Sequence, residues 1–497
     1  MKAVHYLLWI ASIGFVSCKS DVPETPSEFS YLVENIDLPE GLTGETGALE
    51  FLPDGRLVAC FLRGEVMIYS PKSKEWKLFA SGLHEPLGLL IISEKEMLVM
   101  QRPELTRIKD TDNDGKADLF ETVTDEFGMT GNYHEWNYGP VKDQQGNLYI
   151  GLNTASEYGK VMAEVRGRLD TTLVPGKPLQ KFAAVPYRGW IMQITTDGKI
   201  LPFASGFRSP NGLVIDDANR LFVNDNQGDW VGTSVMYQVE KDHFYGHPAS
   251  LLWKEGWDKG DPSKLPIPEL ESMRSKGCVL YPHGIMAASP SQPVIDRPGG
   301  KFGPFSGQIF VGEMNQERIL RVMLEEIDGQ LQGACLPFLD NHGLRKGNNR
   351  LAFAPDGSLW VGQAQHGYVG DLGIQRIVYT GKSPMDIHTI HLLKDGFELT
   401  FTQPVRDTVA IDTSHFHFRH YYYDYHLKYG SDQYDVQHVP VSQVEMSEDR
   451  KIIRLKLPVI KAGYVYELTL TDIFSESGVV LQNKIICYTV NKLNVQL

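Results

Sequence analysis

A short phrase recurs six times between residues 49 and 367: an apolar run, a polar turn usually holding Asp and Gly, and a second apolar run. The clearest copies are LEFLPDGRLVACF (49–61), YGPVKDQQGNLYIGL (138–152), NGLVIDDANRLFVND (211–225) and NRLAFAPDGSLWVGQ (349–363). LGLLIISEKEMLVMQ (87–101) and FSGQIFVGEMNQERILRV (305–322) are looser. Two runs of about five β-branched, aromatic or apolar residues around an Asp-Gly type turn predict a β-hairpin. Six such hairpins predict radial repetition: an all-β, six-bladed β-propeller with one hairpin at the heart of each blade. A propeller gathers its blade-linking loops around a central channel, and the chemistry is expected there.

The 497 residues exceed one ordinary domain. Forty-eight basic residues against 62 acidic give a net charge of −14, the opposite of the basic surface that nucleic acid rewards. Residues 1–18 differ from the rest. Lys2 precedes an apolar stretch, Leu7 to Val16, too short to span a bilayer as a mature helix, so it is expected to be a secretory signal. Its end, Phe15-Val16-Ser17-Cys18, resembles a bacterial lipobox, which makes Cys18 the expected lipidation site. Lys19-Ser20-Asp21 resembles an outer-surface export flag. Residues 19–30 are expected to be a flexible tether. The expectation is an exported protein held at the outer membrane, on the cell surface or the periplasmic face, by a lipid anchor alone. Cys60, Cys278, Cys335 and Cys487 form no CxxC, so neither haem nor a zinc ribbon is supported. Pairing of Cys278 with Cys335 stays open; free buried thiols are the default.

The propeller is expected over residues 31–381, with long insertions at 154–190 and 246–284. Their aromatics, Tyr187, Trp190, Trp253 and Trp257, either stack on sugar rings or pack within the insertions. Beyond Gly381 the phrase stops. FELTFTQPV (397–405), KIIRLKLPVI (451–460) and YVYELTLTDI (464–473) alternate as half-buried strands do, predicting a small antiparallel, immunoglobulin-like β-sandwich over 385–497. Within HFHFRHYYYDYH (415–426), His415 and His417 share a face as a conceivable metal pair, although histidines in such strands more commonly pack against tyrosines.

DTDNDGKADLFE (110–121) carries the full calcium-loop pattern of an EF-hand. Asp110, Asp112 and Asp114 stand at positions one, three and five, and Gly115 at six. Lys116 offers a carbonyl at seven, with Asp118 at nine and Glu121 at twelve. Because a strand precedes it, the expectation is a structural calcium loop in the second blade rather than a helix–loop–helix.

Several segments, QRPELTRIKDTDNDGKAD, NDNQGDWVGTS, FYGHPAS, GACLPF and DGFELTFTQPV among them, resemble an exported propeller family of Bacteroidetes and Planctomycetes. That family is similar to the soluble glucose and aldose sugar dehydrogenases that use pyrroloquinoline quinone (PQQ). In those enzymes a His before the third hairpin takes the sugar hydroxyl proton while hydride passes to the quinone. Tyr133-His134-Glu135-Trp136 stands at that place, so the resemblance implies His134 as general base. Their Arg-Asn-Pro-Gln run, facing cofactor and metal, corresponds to Arg208-Ser209-Pro210-Asn211, in which Ser and Asn replace Asn and Gln. Asn226 lies in the next matching segment, and Arg345, Lys346 and Arg350 fall where arginines approach the quinone carboxylates. The resemblance thus implies a carbohydrate or polyol oxidoreductase with PQQ and a separate electron acceptor. Two other readings remain: a metal-dependent lactonase or lyase using Asp225, Asn226 and Glu313, and a non-catalytic lipoprotein that binds carbohydrate or protein.

Overall fold

The computed structural model describes residues 29–161, 166–170, 180–297, 299, 301–365, 369–407 and 412–495. The leader with Cys18, and all but the last two residues of the tether, lie outside them.

Five of the hairpin phrases extend into four-stranded antiparallel sheets, and that at 305–322 lies in an eight-stranded one. The first is Thr46–Phe51, Leu57–Phe61, Val66–Ser70 and Glu75–Ala80; the second is Gly88–Ser93, Glu96–Met100, Leu105–Lys109 and Leu119–Thr124. The third to fifth begin at Asn137–Lys142, Pro210–Ile215 and Pro290–Ile295. The sixth holds Asn348–Phe353, Leu359–Gln363 and Gly373–Tyr379, and is completed by the N-terminal strand Tyr31–Ile36 in register with Gly373–Tyr379. The innermost strands touch one another in a closed ring, the arrangement of a β-propeller. The ring is tight enough to dictate residue size. At Gly88 a Cβ would fall 1.4 Å from the Gly139 carbonyl oxygen of the next blade, so only glycine fits.

The fifth sheet departs from the expected register. Five copies of the phrase supply the first two strands of their sheets, whereas 305–322 supplies the second and third, Ile309–Glu313 and Ile319–Ile327. The first strand is Pro290–Ile295, in which two prolines and a bulge remove the alternating pattern that marks the others.

The C-terminal segment forms two facing sheets. One holds Ile387–Leu393, Gly396–Phe401, Gln443–Met446 and Ile452–Lys456; the other holds Phe416–Tyr423, Gln433–Val439, Tyr464–Leu470 and Ile485–Val490. Phe397, Leu399, Phe418, Leu455, Leu468 and Tyr488 are buried between them. This unit continues the fifth blade, not the sixth that precedes it in the chain: Ile485–Val490 pairs with Gln330–Phe338, making one eight-stranded sheet. His420 packs against Tyr464 and Tyr466 at 4.8 and 5.3 Å between ring centroids, and His415 and His417 both contact Thr471.

Cys335 faces Cys487 across that junction, and all four cysteines of the described residues are free and buried. Burial pushes the Cys278 thiol up to about 11 and raises the other three further. None of the four should react with a thiol reagent at pH 8 in the folded protein, and all four should react in denaturant. Rapid labelling of any of them in the native state would contradict this packing.

Candidate active site

A cavity of about 280 Å³ lies over the inner ends of the third, fourth and fifth blades. His134, Trp136 and Tyr138 line it from the third blade, Arg208, Ser209, Asn211, Asn226 and Gln227 from the fourth, and Ser289, Met314 and Asn315 from the fifth. Among the described residues no Asp or Glu lines it.

The loop carrying His134 is held from both sides. Asn132 Oδ1 accepts from the His134 and Ser156 amides, and its Nδ2 donates to the Ser156 and Gly159 carbonyls. Arg102 donates to the Asn132 and Tyr133 carbonyls, and Glu135 accepts from the Thr130 amide and hydroxyl. The imidazole Nδ1 lies 2.8 Å from the Thr154 carbonyl. A carbonyl can only accept, so Nδ1 carries the proton and Nε2 keeps its lone pair. Burial, reinforced by the charges of Arg208 and Lys181, holds the ring's pKa well below the usual histidine value. His134 is therefore neutral at physiological pH and has the tautomer of a base.

Thr154 also joins this loop to the fourth blade, since its amide and hydroxyl donate to the Arg208 carbonyl. Asp225 accepts from the Arg208 and Ser209 amides at 2.9 and 2.6 Å, fixing the chain where Arg208 enters the cavity. The Arg208 side chain is only 9% exposed, its Nε is buried without a partner, and its guanidinium sits 5.8 Å from the Tyr429 ring centroid. Gly228 leaves the room for it: a Cβ there would lie 2.9 Å from Arg208 Nε.

The other sequence candidates fall differently. Arg350 is buried and does not line the cavity. Its guanidinium donates to the carbonyls of Gly47, Leu87 and Asn211 and to Asn211 Oδ1, pinning inner-strand segments together. Arg345 lies on the flank of the sixth blade, bound to the Leu372 carbonyl and Asn35 Oδ1. Asn211 and Asn226 do line the cavity, and Asn226 Oδ1 has no partner. Asp225 and Glu313 are spent on backbone: Glu313 accepts from the amides of Ala288, Ser289, Asn315 and Gln316, and neither carboxylate lines the cavity. The metal-centred lactonase or lyase reading therefore loses both its carboxylates. The insertion aromatics serve packing: Trp190 is core, Trp253 donates to the Ala183 carbonyl and Trp257 to that of Gly260.

In the second blade the loop splits. Asp110, Asp112 and Asp114 bring carboxylate oxygens within 4.8 Å of one another. Asp118 turns to the Thr111 amide and hydroxyl, and Glu121 pairs with Arg107 at 2.6 Å. A strand, not a helix, leaves this loop, and its register sets Glu121 opposite Arg107, away from the three aspartates. Lys116 is tied to the same turn, its amide donating to Asp114.

Residues 72–371 match a family model described as a domain of unknown function, DUF7133. The chain belongs to the DUF7133 family. No curated protein matches it. Among solved structures it is similar to a glucose dehydrogenase, with a TM-score of 0.50 and 14% identity over 71% of this chain and all of that one. The soluble aldose sugar dehydrogenase of Escherichia coli in its apo form gives 0.48 and 16%, covering 70% of this chain and 99% of that one. A PQQ-bound aldose sugar dehydrogenase of Streptomyces coelicolor gives 0.44 and 17%, covering 70% and 98%. At these identities the likeness is one of fold.

PQQ carries three carboxylates and needs several basic partners. Of the four basic residues that the sequence aligned with it, only Arg208 lines the cavity. The residues present do not fit that cofactor.

Proposed function

We propose that this DUF7133 chain is an oxidoreductase-type enzyme acting on a hydroxylated small molecule of the sugar or polyol class, with His134 as its general base. The observation that carries the reading is the His134 tautomer: Nδ1–H given to the Thr154 carbonyl, with Nε2 left bare in a ring that lines the cavity. Trp136 and Tyr138 supply apolar walls, and the amide and hydroxyl side chains of Asn226, Gln227 and Ser289 offer hydrogen bonds to ligand hydroxyls. His134 Nε2 takes the hydroxyl proton as the C–O bond becomes a carbonyl. The carbon-bound hydrogen leaves with its electron pair to a diffusible two-electron acceptor, and the imidazolium then returns its proton to solvent. The charge of nearby Arg208 favours the alkoxide character that develops on oxygen.

The reading is tested by dye-coupled oxidation of a panel of aldoses, uronates and polyols, with and without added PQQ and calcium. No reduction under any condition, with ligand binding intact and insensitive to His134→Ala, would leave a carbohydrate-binding protein instead. We further propose export and anchoring through Cys18, on the strength of the leader and the Phe15–Cys18 segment. Among the described residues no helix is long and apolar enough to cross a membrane. Metabolic labelling with a palmitate analogue, lost in Cys18→Ser, checks the anchor.

We also propose that the three clustered aspartates take calcium, since three carboxylates so close repel one another without a cation. Calcium should raise the melting temperature and a chelator lower it, while the Asp112→Asn/Asp114→Asn variant should show neither effect. An identical calcium response in that variant would place the ion elsewhere.

A further inference from the structure

The cavity wall beside Arg208 comes from outside the matched family region of residues 72–371. After the strand Phe416–Tyr423, the C-terminal unit sends the short strand His426–Tyr429 across the top of the propeller, where it pairs with Asp229–Trp230. The Gly430 amide donates to the Gly228 carbonyl at 2.9 Å, and the Ser431 amide to that of Gly232. Gly228 thus does two things: it leaves the berth in which Arg208 lies, and it registers the segment that brings Tyr429 over that guanidinium. Tyr425 anchors the same segment, its hydroxyl donating to the Gly246 carbonyl and its ring taking Arg274 at 4.7 Å. Tyr429 itself is 42% exposed and lines the cavity.

Two properties of this corner select a ligand. Arg208 is a nine-tenths buried cation that makes no ion pair among the described residues, in a cavity whose described lining holds no acid. A buried, unpaired guanidinium is costly until an anion meets it. Beside it stands an exposed aromatic ring of the kind that accepts the apolar face of a sugar. We propose that the site is completed by the C-terminal unit and binds an acidic monosaccharide. Its single carboxylate is gripped by Arg208, and its ring lies against Tyr429. This rests on the proposed function for the site's location and names the substrate class.

The test is calorimetric titration of the full chain with galacturonate, glucuronate, galactose, acetate and PQQ. Galacturonate or glucuronate should bind about tenfold or more tighter than galactose, the worth of one charge-assisted contact. Arg208→Gln should erase that preference. Tyr429→Ala should weaken acidic-sugar binding by a similar factor, and Tyr429→Phe should restore it. Among the described residues neither side chain makes a hydrogen bond that the fold relies on, so these variants should keep the native far-ultraviolet spectrum. Equal affinity for acidic and neutral sugars, acetate competing as strongly as galacturonate, a preference that survives Arg208→Gln, or PQQ alone binding would each overturn the proposal. Calorimetry reads binding and dye reduction reads turnover, each on the parent protein. Failure of oxidation with binding intact would therefore sink only the proposed reaction, and turnover of neutral sugars without acidic-sugar binding would sink only this inference.

Discussion

His134→Gln will lower kcat by roughly a hundred- to ten-thousandfold while leaving ligand affinity nearly unchanged, the loss expected when a positioned base is removed. Glutamine preserves much of the volume between Tyr133 and Trp136, and its amide can still donate to the Thr154 carbonyl, so the loop held by Asn132 and Arg102 stays in place. What disappears is the lone pair at the cavity. The pH profile gives an independent readout. A base works in its unprotonated form, and burial together with Arg208 and Lys181 lowers the His134 pKa well below its ordinary value. Activity should therefore stay flat from neutrality down past the usual histidine range and fall only at more acid pH. In Arg208→Gln one of those positive charges is gone, so the acid limb should move upward in pH. The same shift makes a stability statement. Between the depressed folded pKa and the unfolded value near 6.5, only the unfolded chain binds the proton, so stability should decline as pH falls through that window. An acid limb at or above the ordinary histidine value, or full activity in His134→Gln, would remove His134 from the chemistry.

A sequence exposes some parts of a fold like this one and hides others. Hairpins with Asp-Gly turns declare themselves locally, because apolar alternation and turn chemistry lie within a dozen residues of each other. The fifth blade's opening strand did not, because Pro290 and Pro293 break the pattern while still serving an inner strand. His134 is reached through the family resemblance, which sets a histidine just before the third hairpin. The difference between Arg208 and Arg350 was not legible: both stand beside the start of an inner hairpin, yet one guanidinium enters the cavity and the other is consumed by the carbonyls of Gly47, Leu87 and Asn211 from other blades. Glu121 sits at the right number in the calcium pattern but on a strand that turns it to Arg107. Thr154, Lys181 and Tyr429 had no sequence signal at all. Their roles arise from contacts across the fold, Thr154 to His134 twenty residues back and Tyr429 from the C-terminal unit.

That unit is held against the fifth blade by more than the shared sheet, and the clamp makes the second large prediction. Asp386→Ala should destabilise the protein by about 3–5 kcal/mol, the usual cost of leaving one partner of a buried ion pair alone. Arg321, on the strand Ile319–Ile327, donates to Asp386 Oδ2 at 2.9 Å and to the Ile387 carbonyl at 2.9 Å, and the two side chains are 0% and 1% exposed. Asn483 Nδ2 donates to the same carboxylate oxygen at 2.7 Å, Gln308 Oε1 takes Nη1, and the guanidinium lies 3.6 Å from the Phe305 ring centroid. Removing the carboxylate strands a fully buried cation whose Nε already lacks a partner. The apolar double replacement Arg321→Met/Asp386→Leu should cost much less than the two single changes added together, because no charge is then left unpaired. Since the chain comprises a propeller and a second core, unfolding is best followed by two probes rather than as one transition. Urea melts read by tyrosine and tryptophan fluorescence, alongside limited proteolysis at the segment joining Gly373–Tyr379 to Ile387–Leu393, would show whether the C-terminal unit loosens first. If Asp386→Ala melts with the parent and resists proteolysis equally, the pair is not what docks the unit. If it loosens, oxidation and acidic-sugar binding should weaken together, because the strand that carries Tyr429 belongs to the unit that has come free.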